Sequence, residues 1–195
     1  MAGHRFHHSK AEKLLNPKRR ELIAPEEVVS LLHISERDVV ADLGAGNGYF
    51  TVPIAKVAKT VYAVDVQQEM LDLLQQHAEK EGVENISYIL SDVTATTIPS
   101  QSVDHGLMAF VLHEVADREA VFAEIARIMK PNGAFLLIDW EAVESDMGPP
   151  IHERIPSQQL MDEAKAAFAH VELVHFHPSV YGVMIATTKS NNFVQ

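Results

Sequence analysis

The sequence of 195 residues predicts one three-layer α/β domain, a mostly parallel sheet with helices packed on its faces. Three observations carry this. Short apolar runs alternate with helix-period stripes through residues 39–140, as expected of strand-helix-strand crossovers. One junction, following the apolar run Val39, Val40, Ala41, has glycines at 44, 46 and 48, a tight bend from strand to helix against which a ligand can lie. Finally, the apolar runs 171–176 and 181–187 are separated by only four residues, which makes them antiparallel neighbours.

Composition limits what such a domain does. A chain of this length that is 47% hydrophobic builds one full core, without comfortable room for two. A net charge of −11 disfavours nucleic acid as a partner, because its phosphates need Lys and Arg. No apolar stretch reaches the roughly 18 to 20 residues of a membrane span, and no secretion signal opens the chain, so a cytoplasmic location is expected. The absence of cysteine excludes disulfides, thiolate metal sites and thiol nucleophiles. His4, His7 and His8 lack an acid or thiol partner that would complete a metal site. The first twenty residues hold six Lys or Arg and one acid. The basic segment around Lys10, Lys13, Lys18, Arg19 and Arg20 is read as a solvated terminus, with docking on the acidic body or covering of a ligand as the alternatives. The expected organisation is a basic segment over 1–24, a domain over 25–188 and a tail over 189–195.

Within the domain, Pro25 starts a helix through residue 33, with Val28, Val29, Leu31 and Leu32 inward, expected against the sheet edge. A polar turn over 35–38 leads into the first strand. The helix over 48–58 tolerates Pro53 in its first turns, and Phe50, Ile54 and Val57 supply its apolar spacing. Strand 60–65 follows, then a helix over 67–81 with Met70, Leu71, Leu74 and Ala78 on one side and Gly82 as its stop. Strands are expected over 85–90 and 103–112. Asp117 caps a helix whose stripe is Val121, Phe122, Ile125, Ile128 and Met129, ended by Pro131, Asn132 and Gly133. Strand 134–138 leads to a long irregular segment over 142–156, of a kind that usually serves as a lid or binding loop. A last helix begins at Ser157.

The glycine bend is the chemically informative stretch. A dinucleotide-binding turn has a third glycine where this chain has Tyr49, and the carboxylate of Asp42 would repel a pyrophosphate but suit an ammonium or sulfonium. Backbone N–H groups of the following helix are expected to point into the bend. Asp65 ends the second strand about 20 residues after Gly44, the spacing of an acid whose two oxygens accept from vicinal ribose hydroxyls.

Asp42, Gly44, Gly46 and Gly48 resemble, without a gap, the acid and glycines of the first motif of class I S-adenosylmethionine-dependent methyltransferases. The resemblance implies a Rossmann-like sheet of seven strands with the last reversed, S-adenosyl-L-methionine as cofactor, and methyl transfer by in-line displacement. It places the methionine end of the cofactor at Asp42 and along the turn of Gly44, Ala45, Gly46, Asn47, Gly48 and Tyr49. Asp65 and Val66 then fall at the ribose, Met70, Asp92 and Val93 at the adenine, and backbone of Ala109 and Phe110 at the ammonium. The segments Leu-His-Glu-Val at 112–115 and Ile-Met-Lys-Pro-Asn-Gly at 128–133 look like the small-molecule branch that includes the ubiquinone and menaquinone biosynthesis enzymes. Asn132 stands there for the usual glycine. Base methylation is disfavoured because Ala109-Phe110-Val111-Leu112 replaces the D/N-P-P-Y of amino-methylating enzymes, and the arsenite branch because it binds through cysteines. A small-molecule acceptor is therefore expected.

His113 follows the fourth strand, where acceptor should meet methyl group, and imidazole titrates near neutrality, so it is the base candidate, against a packing role at a helix start. Glu114 is a candidate for binding a substrate cation, and Trp140 for walling the acceptor pocket. Two other readings stand beside this one. An NAD-dependent oxidoreductase is opposed by Asp42, Tyr49 and the closing hairpin; a non-catalytic S-adenosylmethionine-binding regulator would keep the bend without an acceptor pocket.

Overall fold

The computed structural model describes residues 18–187, so His4, His7, His8, Lys10, Lys13 and the tail over 189–195 lie outside the described residues. Seven strands form one sheet in the order β3-β2-β1-β4-β5-β7-β6. They are β1 Val39–Leu43, β2 Thr60–Asp65, β3 Ile86–Leu90, β4 Val103–Ala109, β5 Met129–Trp140, β6 His170–His177 and β7 Val180–Ala186. The first five pair in parallel, whereas β7 lies antiparallel between β5 and β6. The reversed last strand thus sits inside the sheet, and all seven of its residues are buried.

Helices α1 Lys18–Leu22, α2 Pro25–Leu31, α3 Thr51–Ala55, α4 Gln68–Lys80, α5 Arg118–Ile128 and α6 Ser157–Ala167 complete the fold. Two large apolar clusters take alternate residues of the central strands and so lie on opposite faces of the sheet. One joins Val121, Phe122, Ile125 and Leu160 of α5 and α6 to Met108, Phe135 and Leu137. The other joins Leu22, Ile23, Val28 and Leu32 to Val40, Leu107 and Leu136. Helix α2 therefore packs over the central strands, not at the sheet edge, because its inward pair Val28 and Leu32 is fully buried there. Leu22 and Ile23, which precede α2, belong to the same cluster.

Several boundaries differ from the sequence reading for physical reasons. Strand β4 stops at Ala109, since Phe110 turns into the left-handed region at φ 61° and a 3-10 turn over Leu112–Glu114 follows. Helix α5 ends at Ile128 without help from the Pro131-Asn132-Gly133 turn. Those three residues lie instead within β5, where the register to β4 slips between the Val103–Met129 and His105–Ala134 pairs. Asn132 takes φ 67° at this irregularity, a conformation Asn tolerates. Val57 faces outward at 38% exposure, and Val52, Ile54 and Ala55 bury α3 instead.

Candidate active site

The carboxyl ends of β1, β2, β3, β4 and β5 open into one cavity of about 1720 Å³, above the roughly 300–1,000 Å³ of a typical small-molecule site and so spacious enough for two reactants. Of the residues singled out from the sequence, Asp42, Gly44, Ala45, Gly46, Asn47, Tyr49, Asp65, Val66, Met70, Asp92, Val93, Ala109, Phe110, His113 and Glu114 line it. Gly48 does not. A side chain at Gly48 would run into Leu74, so this glycine lets α4 pack against the bend.

The bend itself is held from within. Gly44, Gly46 and Gly48 all have positive φ, at 83°, 55° and 88°, which L side chains rarely adopt. The N–H groups of Gly44 and Ala45 donate to the Val64 carbonyl at 2.8 and 2.9 Å, and that of Gly48 to Ala45 at 3.0 Å. Gly46 N–H donates to Asp65 Oδ2 at 2.9 Å. These four donors are thus committed to the protein, contrary to a turn whose amides wait for a ligand. A dinucleotide's pyrophosphate draws on such amides, and these four are already engaged.

Asp42 is 2% exposed, and its Oδ2 accepts from Thr51 Oγ1 at 2.6 Å. Burial pushes its pKa up to about 6, with the Thr51 hydrogen bond acting the other way. Asp65 bridges two segments, because its second oxygen accepts from Gln67 N–H at 2.9 Å and so ties the start of α4 to the bend. Each carboxylate oxygen accepts more than one hydrogen bond, so this scaffold role is compatible with holding two hydroxyls. Asp92 is exposed at the rim, one oxygen accepting from Thr94 N–H and Oγ1 at 3.0 and 2.7 Å. Met70 is 2% exposed yet belongs to none of the three apolar clusters, which leaves it to the cavity wall.

At the other end, His113 is buried and paired. Its Nδ1 lies 2.7 Å from Asp139 Oδ1, and its backbone N–H donates to Asp139 Oδ2 at 3.1 Å. Trp140 N–H donates to the same carboxylate at 2.8 Å, and Asp139 is fully buried. A carboxylate only accepts, so Nδ1 carries the ring hydrogen and the lone pair is on Nε2. Burial disfavours the charged ring, but the hydrogen bond and charge of Asp139 outweigh it and raise the pKa above its ordinary value. Glu114 Oε1 lies 3.9 Å from Nε2.

Three contributors were missed or given another leading role by sequence reasoning. Asp139 was a strand-end acid like several others, until the fold brought it to His113. Arg154, 8% exposed, donates to the carbonyls of Pro149, Glu141, Val143 and Met147 and to Ser145 Oγ, at 2.7–3.2 Å, and so gathers the 141–154 loop over Trp140. Arg19 was read with the solvated terminus, yet it is 8% exposed and lines the cavity. Its neighbour Arg20 does remain exposed, paired with Glu26 at 2.8 Å. A basic residue beside apolar Leu22 and Ile23 was the available signal.

Residues 41–137 match the model of a methyltransferase domain. The crystal structure of an S-adenosylmethionine-dependent methyltransferase from Aquifex aeolicus superposes with a TM-score of 0.88 at 30% identity, covering 94% of this chain and 100% of that one. The chain belongs to the S-adenosylmethionine-dependent methyltransferases. An uncharacterised methyltransferase of Bacillus subtilis is 30% identical over 105 residues, 54% of this methyltransferase and 42% of that protein. A ubiquinone/menaquinone biosynthesis C-methyltransferase of Acidiphilium cryptum is 25% identical over 130 residues, 66% of this methyltransferase and 52% of that protein. This methyltransferase spans about half the length of these curated relatives. No helix among its described residues is long and apolar enough to cross a membrane.

Proposed function

We propose that this chain methylates a small molecule whose attacking atom must first lose a proton, with His113 as the base. The observation that carries the reading is one continuous cavity, with Asp42, Asp65 and Asp92 at the ends of three adjacent strands on one side and the His113–Asp139 pair on the other. The residues present fit S-adenosylmethionine: a bend four of whose amides are already bonded within the protein, a buried acid at Asp42 for a cation, and an acid at Asp65 at ribose spacing. Asp42 would hold the methionine end, Asp65 the ribose hydroxyls, and Asp92 with Val93 and Met70 the adenine. Backbone of Ala109 and Phe110 would meet the ammonium. Phe110 N–H already donates to the Ile138 carbonyl at 2.7 Å, so carbonyl oxygens are the groups for that task.

When bound, that cofactor supplies a methyl group on positively charged sulfur, a leaving group that needs no acid. The protein's share is to align the acceptor, exclude water and take one proton. His113 Nε2 accepts the proton of the acceptor as its heavy atom becomes the nucleophile, and Asp139 balances the resulting imidazolium. Trp140, tilted by 38° against Phe110 with ring centroids 4.7 Å apart, walls the acceptor side, and Glu114 stands beside Nε2 for a cationic group of the acceptor.

The test is transfer of a labelled methyl group into a metabolite extract, with the labelled product identified by mass spectrometry. Label should appear in a small molecule, and His113→Ala should slow its formation by about 10²-fold or more. A full turnover number in that variant removes His113 as the base, and no labelled product at all favours a non-catalytic regulator.

A further inference from the structure

Arg19 carries a charge that the reading above leaves unused. Its guanidinium carbon sits 4.9 Å from the ring centroids of Tyr49 and Phe110 and 5.8 Å from that of Phe50, a box of three aromatic rings. Nε is buried with no hydrogen-bond partner, and among the described residues no carboxylate lies within ion-pair distance of the side chain. The rings attract a cation, yet they supply no acceptor for its N–H groups, and burial lowers the Arg19 pKa to about 10. The position is fixed, not incidental: Tyr49 Oη donates to the Ile23 carbonyl at 2.9 Å, clamping the segment that bears Arg19 to the glycine bend.

Asp42 lines the same cavity with the opposite charge. Its hydrogen-bond partner is Thr51, and it forms no ion pair with Arg19, although each feels the other's charge. A buried cation and a buried anion that face one cavity without bonding each other suit a ligand carrying both charges, with its own ends crossed between them.

We infer that Arg19 is the receptor for the α-carboxylate of the cofactor's amino-acid end, complementary to Asp42 at the ammonium of the same zwitterion. The inference rests on the S-adenosylmethionine reading above. The planar fork of a guanidinium matches a carboxylate in two hydrogen bonds, which an aromatic box holds open for it.

The test compares S-adenosylmethionine with decarboxylated S-adenosylmethionine, which lacks only the carboxylate, by calorimetry on the full chain. Wild type should bind the carboxylated compound at least 10-fold more tightly. Arg19→Gln should weaken that compound by roughly 10- to 100-fold and leave the decarboxylated one unchanged or tighter, since a repelling cation is gone. The unchanged affinity also shows that the variant is folded. Equal affinities in wild type, or a variant that weakens both compounds alike, overturn the inference while leaving the cofactor reading standing. If Arg19→Gln binds neither compound, Arg19→Lys decides, since it keeps the charge without the fork; a preserved preference for the carboxylated compound supports the inference and a lost one ends it. An intact preference in Arg19→Gln together with a raised KM for the acceptor assigns the carboxylate to the acceptor and ends it too. Wild type that binds neither compound overturns the cofactor reading itself.

Discussion

Asp42 holds its charge where solvent cannot help it. An acid whose pKa rises from 3.8 to about 6 on folding favours the folded state in its protonated form. The penalty is therefore absent below about pH 4, grows through the window between those values and is complete above it. Asn keeps an oxygen for Thr51 and discards the charge. Without cofactor, Asp42→Asn should be more stable than wild type at pH 7.5 by up to about 3 kcal/mol, with the gain gone near pH 4. Thermal melts of both proteins at the two pH values check this, and a gain independent of pH would contradict it. His113 titrates with the opposite outcome: Asp139 holds its pKa up, and the base proposed above must be neutral to work, so on that proposal turnover should rise with pH above the ordinary imidazole value. In Asp139→Asn the rising limb should move to lower pH and the plateau fall about 10-fold or more, as read from kcat against pH; a stationary limb would separate Asp139 from the proton transfer. Residue chemistry was legible where it was local. Asp42 and Asp65 were placed by their spacing from glycines, whereas the His113 to Asp139 contact spans 26 positions and no short pattern encodes it.

Elements followed the same division. Strands β1 and β2 and helix α4 were readable because their apolar pattern ran between clear boundary signals, and α6 was readable from its start at Ser157. The misread boundaries lie where tertiary pairing overrode a local signal: Pro131, Asn132 and Gly133 look like a turn, but β4 and β7 flank the segment and draw its continuation into a strand. Phe110 ends β4 early by taking a left-handed conformation, which no pattern of apolar residues announces. In β4, Gly106 is a matter of space, since its φ is not positive and a methyl group there would meet the Phe135 ring. Gly106→Ala should cost about 1–3 kcal/mol in urea unfolding, by displacing a fully buried aromatic ring at the β4–β5 pair. Cofactor affinity should be unaffected. A neutral result would mean that Phe135 repacks freely.

At the scale of the molecule, the order of strands was the least legible property, because a linear pattern says which segments pair only for neighbours such as β6 and β7. The family resemblance implied a reversed last strand, but that β7 inserts between β5 and β6 was not read from the sequence. The sheet also divides labour between its two rims. The proposed site side chains Asp42, Asp65, Asp92 and His113 line the cavity at the rim where β1 to β5 finish, while the turn at Gly82 lies before β3 at the opposite rim, and an added Cβ there meets nothing within 4 Å. That turn is a free handle. A flexible peptide spliced in beside Gly82 should leave the grip on S-adenosylhomocysteine within about two-fold of the parent by calorimetry, so the enzyme can be tethered or labelled there from behind while its working face stays open; a larger loss would reveal mechanical coupling from one rim to the other.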